Sequence, residues 1–171
     1  LEIFDNGLHS LWAFSKEYTL DSMTEIKKRF TVIESPFSAP TIEGLVRNVQ
    51  YTMLAVRDSL NRGEAPYASH LFYTQMLDDN NAEERQLGMD AGLTICHHAD
   101  QTSVYIDLGI SRGMEYGIET AKEAGRDVIE RRLFPETSTA EEIYLLLHQE
   151  YEKHDLPSPD IIASIYGRII K

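Results

Sequence analysis

The feature that most constrains this chain is a repeated change of hydrophobic period between about residues 29 and 133, where short β-rich runs alternate with stretches of helical length. Phe30-Thr31-Val32-Ile33 is the first such run, and Ser35-Pro36-Phe37-Ser38-Ala39-Pro40 ends it because proline cannot supply a ladder donor. A helix follows. Thr41 is a suitable N-cap, Ile42, Leu45, Val46, Val49, Met53, Val56 and Leu60 keep one stripe, and Gly63 stops it. Pro66 to Phe72 reads as extended, then Asn81 and Glu84 form a capping-box pattern that opens a helix to about His98. Ser103 to Asp107 is the third strand, a helix runs from about Ser111 to Gly125, and Val128-Ile129 marks the fourth strand. Strands separated by helices of this length imply βαβ units, hence an α/β fold with a parallel sheet covered on both faces.

The rest divides by punctuation. Residues 1 to 22 read as an N-terminal extension ahead of Met23, with Leu8, Leu11, Trp12 and Phe14 on one short helical face suited to packing or oligomerisation. Residues 23 to 133 form the α/β domain. Residues 134 to 171 are helical in period throughout, with a second capping-box pattern at Thr139 and Glu142 and a Ser158-Pro159 helix start. They read as an appended helical hairpin.

Charge and cysteine content narrow the function. With 16 Lys+Arg against 28 Asp+Glu the net charge is −12, which argues against a nucleic-acid polymer as partner, since clustered cations supply that affinity. A single Cys excludes an internal disulfide framework and a four-cysteine zinc site. No apolar run approaches the ~20 residues that span a bilayer, so a membrane partner is not expected, and the cysteine usage fits a reducing cytoplasm best. Cys96-His97-His98 sits late in a helix, where adjacent histidines project about 100° apart and cannot share a metal ion. No P-loop, Gly-x-Ser-x-Gly elbow or His-Glu-x-x-His pattern is present, and neither a metal nor a cofactor is implied.

In an open parallel sheet, ligands collect beyond the carboxyl ends of the strands, which points to three loops: Ser35 to Pro40, His70 to Asp79, and Asp107 to Glu115. In the third, Gly109 and Gly113 allow close backbone approach, and the N–H groups after Ser111 open a helix suited to phosphate or carboxylate. The same pattern also suits a plain capped helix start. Glu115, one turn in, can act on a ligand or merely complement the helix dipole. Asp107 closes a strand at the functional edge. His70, Tyr73, Thr74, Gln75, Asp78 and Asp79 can read a base or ribose, with Phe37, Phe72 or Tyr73 stacking, or form a solvated loop.

Pro66-Tyr67-Ala68-Ser69-His70-Leu71-Phe72-Tyr73-Thr74-Gln75-Met76-Leu77-Asp78-Asp79, continued by Glu83-Glu84-Arg85-Gln86-Leu87-Gly88-Met89, resembles small phage and bacterial proteins related to the nucleoside 2-deoxyribosyltransferases. Ser35-Pro36-Phe37 and Ile110-Ser111-Arg112-Gly113-Met114-Glu115 add to the likeness, which covers about residues 29 to 133. The resemblance implies a Rossmann-like domain, commonly oligomeric, that cleaves a sugar–base bond through a glutamate in a Gly-[Met/Tyr]-Glu-Leu-Gly motif. Gly113-Met114-Glu115-Tyr116-Gly117 is similar to that motif, so Glu115 falls on the nucleophile. The family's aspartate six residues earlier is replaced by Gly109, and Asp107 is the nearest acid. Ser35, Phe37, His70, Asp78 and Asp79 match cleft-forming segments, and Gly109, Ser111, Arg112, Gly113 and Met114 complete the expected ligand-binding set.

Two functions stay open. One is N-glycosidic chemistry on a nucleoside or nucleotide by a homo-oligomer, with Glu115 as nucleophile and Asp107 or His70 assisting the leaving base. The other is a non-catalytic phage protein that sequesters a nucleotide or ADP-ribose-type immune signal.

Overall fold

The computed structural model describes residues 28–170, so the N-terminal extension and its apolar face lie outside the described residues. Four parallel strands, β1 (Phe30–Glu34), β2 (Ala65–Tyr67), β3 (Gln101–Tyr105) and β4 (Asp127–Arg131), form a sheet in the order β2-β1-β3-β4. Val32 pairs with Tyr67 on one side and Thr102 on the other, which makes β1 and β3 the central strands. Pro66 is tolerated because β2 is a short edge strand.

The connections step in opposite directions from β1, and right-handed crossovers therefore send helices to opposite faces. Helix α1 (Ile42–Asn61) covers one face; α3 (Ala82–Cys96) and α4 (Arg112–Glu123) cover the other. Between β2 and α3 run a single-turn helix, α2 (Ser69–Phe72), and a 3-10 turn (Tyr73–Gln75). The sequence reads this segment as extended, but only Ala65–Tyr67 keeps strand geometry. Tertiary contact overrides the local pattern there: Tyr166 from the far end of the chain donates its hydroxyl to the Leu71 carbonyl at 2.9 Å.

The caps explain where helices begin. Thr41 accepts from the Gly44 N–H, and Thr139 and Glu142 satisfy each other's backbone N–H groups reciprocally. Asn81 accepts from the N–H groups of Glu83 and Glu84, but the Glu84 carboxylate does not return to Asn81. It accepts instead from the Asp78 N–H at 2.6 Å, bracing the loop before the helix rather than closing a capping box.

Helices α5 (Ala140–Lys153) and α6 (Pro159–Tyr166) pack on the outer side of α1. Ile143, Leu147, Tyr151, Ile162 and Tyr166 join Leu45, Val49, Ile33 and Tyr105 in one apolar cluster, so the C-terminal hairpin shares the domain's core. Being covered on two sides explains why α1 buries polar Asn48, Gln50, Thr52 and Ser59 along with its apolar stripe. Leu60, the last position of the expected stripe, is exposed although its neighbour Ser59 is buried. Among the described residues no helix is long and apolar enough to cross a membrane.

Candidate functional site

Where β1 and β3 lie side by side, their following connections leave toward opposite faces, and a crevice must open beyond their carboxyl ends. A cavity of about 580 Å³ occupies that place, bounded by the end of β1, the 69–79 segment, one face of α3 and the start of α4. All three loops expected from the sequence reach it. Ser35 and Phe37 come from the first, His70 and Asp79 from the second, and Ser111, Arg112, Gly113 and Met114 from the third.

The remaining expected residues stand elsewhere. Asp78 and Gly109 do not line the cavity. Asp107 is turned into a structural cap: it accepts the Tyr51 hydroxyl at 2.7 Å and the N–H groups of Leu133 and Phe134 at 2.8 and 3.2 Å, fixing the chain as it leaves the sheet. Burial and this bond together push the Tyr51 phenol well above its ordinary pKa. Glu115 is exposed in the first turn of α4, whose adjoining residues Met114 and Tyr116 line the cavity while Glu115 does not.

One cavity residue escaped the sequence reading. Glu34 is the last residue of β1, and alternation along the strand puts it with Val32 on the face covered by α3 and α4, opposite to Thr31 and Ile33. Its carboxyl therefore enters the cavity, where burial raises its pKa from 4.5 to about 8 against the opposing pull of the Arg126 guanidinium. No hydrogen bond reaches this carboxyl from the described residues. The available signal was a charged residue in phase with the covered face of a central strand, which the Ser-Pro turn signal beside it concealed.

On the adjoining wall, the Ser35 and Thr52 hydroxyls are 2.7 Å apart, and His70 Nε2 lies 3.1 Å from Ser35 Oγ. The Thr52 hydroxyl donates to the Asn48 carbonyl at 2.8 Å. Burial lowers the His70 pKa from 6.5 to about 4, so the ring is neutral at physiological pH. Phe37 packs edge-on to His70 at 5.7 Å and to Tyr166 at 5.9 Å, so it serves as a wall. Asn48 holds the loop that carries Phe37 by donating to the carbonyls of Phe37 and Ser38. Polar Asn48 and Thr52, one turn apart on the buried side of α1, are positioning residues that the apolar stripe of this helix left unnoticed.

The far wall is apolar and close. Positions 88 and 92 of α3 are glycines, and a β-carbon at either would come within 3.1 Å of the 69–77 segment, at Leu77 and Ser69. Asp79 pairs with Arg85 at 2.5 Å, and the Glu84 carboxylate lies beside them on that rim. Arg112, by contrast, has no hydrogen-bond or ion-pair partner among the described residues. It sits at the first position of α4, where Ser111 caps the helix by accepting from the Met114 N–H, so positive charge and the helix N-terminus coincide.

The C-terminal segment clamps the rim. Asn80 donates to the Ile169 carbonyl at 2.7 Å, and Arg168 donates to the Thr74 carbonyl at 3.1 Å. Cys96 closes the cavity's inner end at the last turn of α3, with burial raising its thiol to about 11 and keeping it protonated.

No curated protein matches the chain. The family described as "Domain of unknown function (DUF7768)" matches residues 29–131, which run from the residue before β1 to the last residue of β4 and make up more than half of the sequence, and the chain belongs to that family.

Proposed function

We propose that the chain binds a nucleoside or nucleotide in the cavity at the ends of β1 and β3. The observation that carries this reading is the pairing, in one cavity of about 580 Å³, of an apolar wall with Arg112, which has no partner among the described residues, at the N-terminus of α4. The volume lies within the ~300–1,000 Å³ usual for small-molecule sites. The close apolar wall suits a base, and the helix end suits an anionic group. The resemblance to the deoxyribosyltransferase-related proteins supports the same ligand class.

Holding the ligand without turnover is the favoured form of the reading, because Glu115 and Asp107 both stand outside the cavity's lining. A phage protein that sequesters a nucleotide or ADP-ribose-type signal would work in this way. N-glycosidic cleavage is the second reading, favoured by the Gly113-Met114-Glu115 turn, in which Gly113 and Met114 line the cavity.

Incubating the protein with a pool of nucleosides, nucleotides and cyclic or ADP-ribose-type compounds, then separating free from bound material for mass spectrometry, tests both. An intact compound retained and recovered unchanged on denaturation supports sequestration. Free base accumulating with time and protein supports cleavage. Neither retention nor release across the pool overturns the proposal.

A further inference from the structure

We propose that Glu34 presents a carboxylic acid O–H to the ligand, donating a hydrogen bond to an acceptor on the base, either a ring nitrogen or a carbonyl oxygen. This inference rests on the nucleotide reading and deepens it by naming how the base is recognised.

Two features of the geometry carry it, and the electrostatics of the cavity agree with them. First, Glu34 ends a central strand on the covered face and lines the cavity with a side chain that no described residue hydrogen-bonds. Glu34 is half-buried, and its oxygens are not among the fully enclosed side-chain atoms that lack a partner, so they face the open cavity, where a ligand can reach them. Second, space is kept for it: the helix opposite carries Gly117, and a β-carbon there would fall on the Glu34 carboxyl. The cavity's other charges leave this group in place as an acid.

Those charges come from every side. Arg126, before β4, is the cation among the described residues that acts on Glu34, but its guanidinium is committed to the Cys96 carbonyl and to Thr102 Oγ1 at 3.0 Å. Cys96 from α3 is a neutral thiol, and His70 across the cavity is a neutral imidazole. From α4 come Arg112 and Tyr116, and from the rim come Glu84 and the Asp79–Arg85 pair. Burial outweighs Arg126 and holds the carboxyl protonated up to about pH 8. At neutral pH the group is then a donor, whereas the ionised carboxylate accepts only and would repel a phosphate.

The test is calorimetric titration of the full chain with the 5′-monophosphates of adenosine, guanosine, cytidine and uridine from pH 6 to 9.5. For the tightest binder, wild-type affinity is expected to fall by up to tenfold per pH unit above about 8. Glu34→Gln keeps an N–H donor but cannot titrate, so its affinity should stay within about threefold of wild type at pH 6.5 and show no such fall. Glu34→Ala should bind about tenfold more weakly at pH 6.5, as expected for one lost hydrogen bond.

Equal affinities and pH profiles for wild type and Glu34→Ala would overturn the role of Glu34 and leave the nucleotide reading standing. No binding of any monophosphate to the wild type would overturn both. If the variants fail to fold, ¹³C titration of the Glu34 carboxyl in the wild type decides, because donation to the ligand must raise its midpoint on binding. An unchanged midpoint in the bound protein overturns the proposal.

Discussion

The Glu34 carboxyl and the α-carbon of Gly117 occupy adjoining space: a β-carbon on Gly117 would lie 2.6 Å from Glu34 Cδ. Gly117→Ala should therefore destabilise the wild type by about 1–3 kcal/mol through overpacking. In a Glu34→Ala background the same change should stabilise by up to about 1 kcal/mol, because alanine is the better helix former once the carboxyl is gone. Urea unfolding of the four proteins in this cycle measures the reversal of sign. Simple additivity would show that the two residues do not share the space.

The pH dependence of folding should carry two opposed contributions. For Glu34, the pKa is raised from 4.5 to about 8, so the folded state binds more protons; no stability is lost below 4.5, and it is lost progressively as pH rises toward 8. For His70, the pKa is lowered from 6.5 to about 4, so stability is full above 6.5 and is lost as pH falls toward 4. The two slopes oppose each other between 4.5 and 6.5, and Glu34 alone acts from 6.5 to 8. Glu34→Gln should gain on the wild type across that upper window at no more than about 1.4 kcal/mol per pH unit, and the gain should level off above it. Denaturant midpoints at fixed pH steps measure the difference.

Arg131 bridges β4 to Glu64 at 2.6 Å with both side chains nearly buried, and Glu64 also accepts from Ser59 and Gln101. These donors hold the Glu64 pKa down at about 2. Arg131→Met leaves the carboxylate buried without its ion partner and should cost about 3–5 kcal/mol, whereas Arg131→Met with Glu64→Leu should recover much of the loss. Thermal unfolding of the pair of proteins distinguishes the broken bridge from the replaced one.

Asp107 and Glu115 should separate cleanly. Asp107→Ala strands the Leu133 and Phe134 N–H groups and the Tyr51 hydroxyl, and should cost about 2–4 kcal/mol. Glu115→Gln, at an exposed position, should change stability by less than about 0.5 kcal/mol. A loss of base release on Glu115→Gln, with ligand binding kept, would decide in favour of the cleavage reading.

The alternation of β-rich and helical periods was enough to read the α/β class and the strand order's parallel sense, because short-range pattern dictates both. The loops beyond the strand ends were legible for the same reason, and Ser35, His70 and Arg112 do line one cavity. What the pattern could not show was where long-range partners lie. Asp107 reads as an acid at a functional edge until Leu133 and Phe134, 26 and 27 residues on, arrive to use its oxygens. Glu34 stands beside the Ser35-Pro36 turn signal and goes unnoticed until α4 covers it. The polar residues of α1 read as interruptions of a stripe until the hairpin, packing behind, shows that this helix has two buried sides.

The clamp on the cavity's rim sets an order of events during synthesis. Its bonds, Asn80 to Ile169, Thr74 to Arg168 and Leu71 to Tyr166, join positions 89, 94 and 95 residues apart, so none can form while the sheet is all that has emerged. The strands and their facing helices can close first, leaving the pocket's outer lip unset. The cavity's outer lip is then completed only once the segment after β4 has been made and has docked.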